Sequence, residues 1–174
     1  MAVYEGSKAS MSNTAIRSLL TGSGSRSLLL DSNLLLLWIT AQYDLRLLAT
    51  FKRVQMFTQE DALLLAWIID QFDAVVTTAH VVTEASNLGN SLSSNSRLGW
   101  FTALSEFSTT TLEETHPLNA LASCEEFIRF GVTDCALTDL SSKYQVLTTD
   151  HRLSNYACEL GMQVLNFNDL RQMI

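Results

Sequence analysis

Two acidic side chains stand directly after apolar, strand-like runs, where an α/β protein places its chemistry. Asp31 follows the run at residues 28–30, and Asp150 follows a second run at residues 145–149. Ligands of open parallel sheets bind beyond the carboxyl ends of the strands. Both carboxylates are therefore expected at one edge of a sheet.

Two further acids are predicted on helices. His80, Glu84 and Asn87 lie on one helix face by the i, i+3 and i+4 rule, and they form a polar stripe. Asp134 follows Thr133, a candidate N-cap, and so falls in a first helical turn, where the helix dipole favours an anion.

Each acid also has an ordinary structural explanation. Asp31 and Asp134 alone could cap helices, and Glu84 alone could belong to a solvated helix face. Four carboxylates brought together, however, repel one another unless cations bind them. Because Mg²⁺ and Mn²⁺ prefer such oxygen ligands, we predict a metal centre formed by Asp31, Glu84, Asp134 and Asp150.

Strand-like and helical patterns alternate along the chain. This alternation predicts an α/β fold of three layers, α/β/α, with a central parallel sheet. A loop is expected at residues 87–96. Besides the strand before Asp31, apolar runs predict strands at residues 74–77, 109–113, 145–149 and 163–167.

Capping and turn residues predict several helix boundaries. Thr58 and Asp61 resemble a capping box at the start of an amphipathic helix. One helix is predicted over residues 118–130 and is expected to end at Gly131. Asn168 is expected to cap the last helix.

Length and composition limit the class of protein. A chain of 174 residues, 47% of them hydrophobic, suits one domain with a sizeable core. We expect residues 27–174 to form this domain and residues 1–26 to be a partly flexible extension. No apolar run approaches the roughly 20 residues of a membrane span, so no membrane partner is expected.

Charge and cysteine content narrow the class further. A net charge of −7 argues against binding nucleic acid through a broad basic surface. It is compatible with a metal-dependent nuclease, because the cations then supply the local positive charge. Three cysteines without CxxC spacing form neither a disulfide framework nor a zinc site, and they suit a reducing cytoplasm.

Four short motifs around the acids resemble the PIN-domain family of metal-dependent ribonucleases. Sixteen positions separate Asp134 from Asp150, which suits one helix plus one strand. The resemblance runs over about residues 27–170. The motifs are Leu30-Asp31-Ser32-Asn33, Val82-Thr83-Glu84, Val132-Thr133-Asp134-Cys135-Ala136 and Leu147-Thr148-Thr149-Asp150.

The resemblance implies a PIN-like fold and an endoribonuclease that holds one or two Mg²⁺ or Mn²⁺ ions between the four acids. Water would attack the phosphodiester of single-stranded or structured RNA and leave a 5′ phosphate and a 3′ hydroxyl. Thr148 and Thr149 would lie at the same rim, and Ser32 or Asn33 would support Asp31. Arg152, directly after His151, is a candidate contact for substrate phosphate.

Among PIN proteins, a small single-domain chain looks most like VapC-type toxins, which form homodimers and are blocked by an antitoxin. RNA, an antitoxin and a second copy of the chain are therefore the expected partners. Exposed apolar side chains around residues 34–68 are a candidate dimer face. The alternative is a non-toxin PIN protein that acts in RNA processing or as a protein- or RNA-binding scaffold.

Two other enzyme classes fit less well. A phosphatase of the haloacid dehalogenase type needs a second acid two residues after the first, and Asn33 occupies that position. A phosphorelay receiver needs a lysine after a late strand, and the run before Asp150 has none. Asp139 is a second-rank metal ligand because it is rotated by about 140° from Asp134 around a helix.

Overall fold

The computed structural model describes residues 5–22 and 24–174, with side chains from residue 14 onward. Within them, five parallel strands form one sheet in the order β3-β2-β1-β4-β5. Helices cover the sheet, which confirms the three-layer α/β/α prediction. The strands are β1 Ser27–Leu30, β2 Ala74–Thr78, β3 Leu112–Glu114, β4 Gln145–Thr148 and β5 Val164–Asn166.

Helices connect successive strands along the chain. A 3-10 helix, Leu45–Ala49, follows α2 and begins at Asp44, whose carboxylate accepts the N–H of Arg46 at 3.0 Å. The α-helices are α1 Glu5–Gly22, α2 Ser32–Tyr43, α3 Gln59–Ile69, α4 Ala79–Gly89, α5 Ser94–Thr110, α6 Leu118–Leu121, α7 Glu126–Leu140, α8 His151–Glu159 and α9 Phe167–Arg171.

The central strand β1 has β2 on one side and β4 on the other. Leu28, Leu29 and Leu30 of β1 are buried, as expected for a strand covered on both faces. The chain leaves β1 towards β2, whereas it leaves β4 towards β5. Because these connections diverge, the carboxyl ends of β1 and β4 are the position at which open α/β sheets bind ligands.

Two predicted segments differ from the structure around α5. The expected loop at residues 87–96 is shorter, because α4 continues to Gly89 and α5 already begins at Ser94. The strand predicted over residues 109–113 is displaced, because α5 runs into this segment and β3 begins only at Leu112. β3 is an edge strand with largely exposed side chains, so its apolar pattern is weak.

Two further boundaries differ near the end of the chain. The helix predicted over residues 118–130 is two helices, α6 and the first part of α7. Gly131 interrupts α7 as predicted, with φ 85° and ψ −175°, a backbone conformation essentially restricted to glycine. Asn166 rather than Asn168 caps the last helix, because the Asn166 side chain accepts the N–H of Asn168 at 2.8 Å.

The predicted capping box at the start of α3 is present. The Thr58 hydroxyl accepts the N–H of Asp61 at 3.2 Å, and the Asp61 carboxylate accepts the N–H of Thr58 at 2.8 Å. Arg171 of α9 donates to the same carboxylate at 2.7 Å. The Asp61 side chain therefore also ties the last helix to α3.

The main hydrophobic core includes side chains of α1. Ile16 and Leu20 are buried in this core, so part of the predicted extension packs against the domain. Residues 1–4 of that extension lie outside the described residues.

Trp100 is fully buried, and its indole donates to the Thr40 hydroxyl at 3.1 Å. In the part of the chain that the structure describes, no helix has both the length and the apolarity needed to cross a membrane.

Candidate functional site

Asp31 is held by four hydrogen bonds at the end of β1. Its Oδ1 accepts the N–H of Leu34 at 2.7 Å, which makes Asp31 the N-cap of α2. Its Oδ2 accepts the Thr148 hydroxyl at 2.8 Å, the Thr149 N–H at 2.6 Å and the Thr149 hydroxyl at 3.1 Å. The carboxylate therefore joins the end of β1 to the end of β4 and has a fixed orientation.

The environment of Asp31 is unfavourable for its charge. Burial raises the pKa of this carboxyl above its ordinary value, although the hydrogen bonds from Leu34, Thr149 and Thr148 oppose the change. An ionised Asp31 therefore gains more from a nearby cation than an exposed carboxylate would.

Asp150 follows β4 and caps α8. Its Oδ1 accepts the N–H of Arg152 at 2.6 Å and the N–H of Leu153 at 3.3 Å. Among the described residues, no group donates a hydrogen bond to its Oδ2. The cap thus fixes the carboxylate and leaves one oxygen available to a ligand.

Glu84 extends from α4 towards the start of α2. The Ser32 hydroxyl donates to its Oε2 at 2.8 Å. Of the two residues predicted to support Asp31, Ser32 therefore bonds to Glu84 instead. Because both residues lie in the first turn of α2, their side chains reach neighbouring elements. Asn33 donates to the Thr149 hydroxyl at 3.3 Å, and only through that hydroxyl is it linked to Asp31.

The other three acids lie within electrostatic reach of Asp134. Partial burial and, after it, the charges of Asp150, Asp31 and Glu84 together raise the pKa of Asp134 from 3.8 to about 7. The positive charge of Arg152 lowers the pKa of Asp134 and so opposes this rise. The structure therefore brings the four predicted acids within electrostatic reach of one another, together with the predicted arginine.

Asp134 lies just after the bend in α7. The backbone is helical again from Val132, so Thr133 lies within the helix and the prediction that it is an N-cap is wrong. Thr138 shares the face of Asp134 and donates to its carbonyl oxygen at 2.8 Å. Asp139 points elsewhere and contacts the His116 ring at 2.6 Å.

The donor set suits a hard divalent cation, because it consists of carboxylate oxygens with a single neighbouring arginine. Within the described residues, no three carboxylate, thiol or imidazole groups already stand close enough to coordinate one ion. Joint coordination would therefore require the less constrained side chains to move closer. Asp31 and Asp150 are held by helix caps, so the exposed Glu84 and the half-buried Asp134 are the less constrained side chains.

A cleft of about 390 Å³ opens beside Glu84 and Asp134. The predicted polar stripe of α4 forms one wall, and the segment around the bend in α7 forms the other. Phe130 of this second wall was not predicted as a site residue, because it lies in a segment expected to be ordinary helix. The lining residues are Ala79, His80, Thr83, Glu84, Asn87, Phe130, Val132, Thr133 and Asp134.

Two arginines pack on aromatic rings at the edge of this cleft. The Arg129 guanidinium lies 5.2 Å from the ring centre of Phe130 and 4.9 Å from that of Tyr156. Arg152 lies 5.8 Å from the ring centre of Phe130 and donates to the Arg129 carbonyl at 3.4 Å. All three guanidinium-to-ring distances are typical of cation–π contacts.

Comparisons with known proteins identify no relative of this chain. No family model, no curated protein and no solved structure matches the chain. The basis for a functional assignment is therefore the arrangement of Asp31 and Asp150 at the ends of β1 and β4 with Glu84 of α4 and Asp134 of α7.

Proposed function

We propose that the protein is a metal-dependent endoribonuclease. The observation that carries the proposal is the placement of Asp31 and Asp150 at the ends of the paired parallel strands β1 and β4, with Glu84 and Asp134 within electrostatic reach. Asp31, Glu84, Asp134 and Asp150 would hold Mg²⁺ or Mn²⁺. When bound, such ions activate water and stabilise the charge that develops in an in-line displacement at phosphorus.

The chain supports this chemistry by holding two of its acids, Asp31 and Asp150, in place before substrate arrives. Asp31 is fixed by its four donors, and the cap of α8 fixes Asp150. Ser32 holds Glu84 through one hydrogen bond. Preorganised groups of this kind avoid reorganisation during the reaction.

Arg152 is the basic residue closest to the reaction in this proposal. Its charge acts on Asp134, so it is positioned to bind a substrate phosphate beside the acids. Water would add to the phosphorus, and the bond to the 3′ oxygen would break. The products would carry a 5′ phosphate and a 3′ hydroxyl.

The biological setting that we favour is the toxin of a toxin–antitoxin pair, on the basis of the family resemblance and the small single domain. A PIN-like protein of RNA processing is the alternative. In both settings the four carboxylates would hold the metal ions that activate water. A scaffold that only binds protein or RNA would not need them to bind metal.

The proposal is tested by RNA cleavage with conservative variants. Purified protein is incubated with single-stranded RNA in Mg²⁺, Mn²⁺ or EDTA. Cleavage is expected only with metal, and Glu84→Gln and Asp150→Asn should abolish it. Glu106→Gln is the matched control, because Glu106 is exposed on α5. Undiminished metal-dependent cleavage by both site variants would refute the assignment.

Metal titration separates an enzyme from a scaffold. Isothermal calorimetry with Mn²⁺ is expected to show binding by the wild-type protein and much weaker binding by Asp134→Asn. Equal binding by the two proteins would place the metal elsewhere, and no binding by either would favour the scaffold.

A further inference from the structure

We propose that the cleft between α4 and α7 is a nucleobase subsite, in which the ring of Phe130 stacks on one base of a single-stranded RNA. The inference rests on the proposed nuclease function and identifies which part of the substrate lies beside the acids. Phe130 lines the cleft on the same wall as Asp134.

The polar lining of the cleft suits a planar group with hydrogen-bonding edges. His80, Thr83, Asn87 and Thr133 contribute an imidazole, two hydroxyls and an amide. Within the described residues, none of these side chains hydrogen-bonds to another protein group. Their donors and acceptors are therefore available to a ligand. The volume of about 390 Å³ lies in the range of roughly 300–1,000 Å³ of small-molecule sites.

The charge of the cleft lining favours entry of the base of a nucleotide over entry of its phosphate. The lining contains the carboxylates of Glu84 and Asp134 and no lysine or arginine. A phosphate is repelled wherever a bound cation does not offset these charges, whereas a neutral base is not. Arg129 and Arg152 lie outside the lining and are available to phosphates of the same strand.

Phe130 lies between the cleft and the two arginines. Its contacts with Arg129, Arg152 and Tyr156 involve residues that do not line the cleft. The side chain is half-buried, so part of it stays accessible from the cleft. These neighbours fix the ring, and the base would stack on the part of the ring that lines the cleft. Stacking of a base on an aromatic side chain typically contributes about 5- to 150-fold to affinity.

Binding of RNA with and without bases tests the subsite. The probes are a short fluorescent single-stranded RNA and an oligomer of the same backbone with abasic nucleotides. Fluorescence anisotropy in Mg²⁺ is measured on the full chain in the Asp150→Asn background, which prevents cleavage. Phe130→Ala should weaken binding of the intact RNA by about 5- to 150-fold. It should leave binding of the abasic oligomer unchanged.

Matched variants separate stacking from folding. Phe130→Trp should keep the affinity for intact RNA, and Phe130→Leu should lose it although it preserves an apolar side chain. Ile128→Ala is the control, because Ile128 lies two positions earlier in α7 and is 92% exposed. Thermal unfolding verifies that each variant is folded.

The outcomes distinguish the subsite from the nuclease activity. Equal binding of intact RNA by Phe130→Ala and its parent overturns the subsite, even if the wild-type protein cleaves RNA. An equal loss for intact and abasic probes overturns it as well. If the wild-type protein cleaves no RNA but base-dependent binding through Phe130 persists, the proposed function fails and the subsite stands.

Discussion

Replacing Asp134 by asparagine is expected to stabilise the metal-free protein. Ionised Asp134 is partly buried and lies near the charges of Asp150, Asp31 and Glu84. Asparagine has nearly the same shape and no charge, so the repulsion disappears. A residue required for metal binding would thus be a source of instability when no metal is bound.

The size of the effect follows from the pKa of Asp134. Its rise from 3.8 to about 7 corresponds to at most about 4 kcal/mol, at about 1.4 kcal/mol per pH unit. Because the side chain is only partly buried, solvent screening reduces this to about 1–3 kcal/mol. For a chain of this length, each kcal/mol raises Tm by roughly 2–4 °C.

The stabilisation should depend on pH with a defined sign. Unfolded Asp134 loses its proton near pH 3.8, whereas the folded protein retains it up to about pH 7. The folded state binds more protons between these values, so wild-type stability falls as pH rises across this window. The advantage of Asp134→Asn should therefore be absent below pH 3.8 and complete above about pH 7.

Thermal unfolding in EDTA over this pH range measures the effect. Asp139→Asn is the control on the same helix, because it removes an ion pair with His116 and should not stabilise the protein. Added Mn²⁺ should raise the Tm of the wild-type protein more than that of Asp134→Asn, since only binding to the folded state stabilises. A Tm for Asp134→Asn at or below the wild-type value above pH 7 would contradict the electrostatic explanation.

Three other substitutions test separate parts of the structure. Ser32→Ala removes the hydrogen bond to Glu84, so kcat/KM for RNA should fall about 3- to 10-fold with little change in Tm. Gly89→Ala places a Cβ 2.4 Å from the ring of Trp100 and should cost about 1–3 kcal/mol in urea unfolding. Light scattering is expected to show a homodimer for the wild-type protein and a monomer for Leu63→Glu, because Leu63 is 66% exposed in the candidate dimer segment.

The strands that carry the site could be predicted because they are buried on both faces. The runs before Asp31 and Asp150 are continuous apolar sequence, and their parallel pairing brings the two carboxylates to one edge. The position of Glu84 followed from helical periodicity, which is a local property. These features depend on short-range pattern and the general geometry of parallel sheets.

The contacts around the acids could not be predicted in the same way. Whether Ser32 bonds to Asp31 or to Glu84 depends on the distance between α2 and α4, which no local pattern encodes. The stacking of Arg129 on Phe130 and Tyr156 likewise depends on how α7 packs against α8. Long-range packing therefore determines the partners of residues whose positions along the chain were already evident.

The bend at Gly131 lies between Phe130 and Asp134, so a substitution at this position can change the angle between the two side chains. A Cβ at this glycine would meet no atom within 4 Å, so an L-alanine would suffer only from its backbone, at about 1–3 kcal/mol. A D-residue prefers the mirror-image backbone angles, and φ 85° with ψ −175° is an extended conformation for it. D-alanine introduced by chemical ligation should therefore rigidify the bend, whereas L-alanine should rotate Phe130 relative to Asp134.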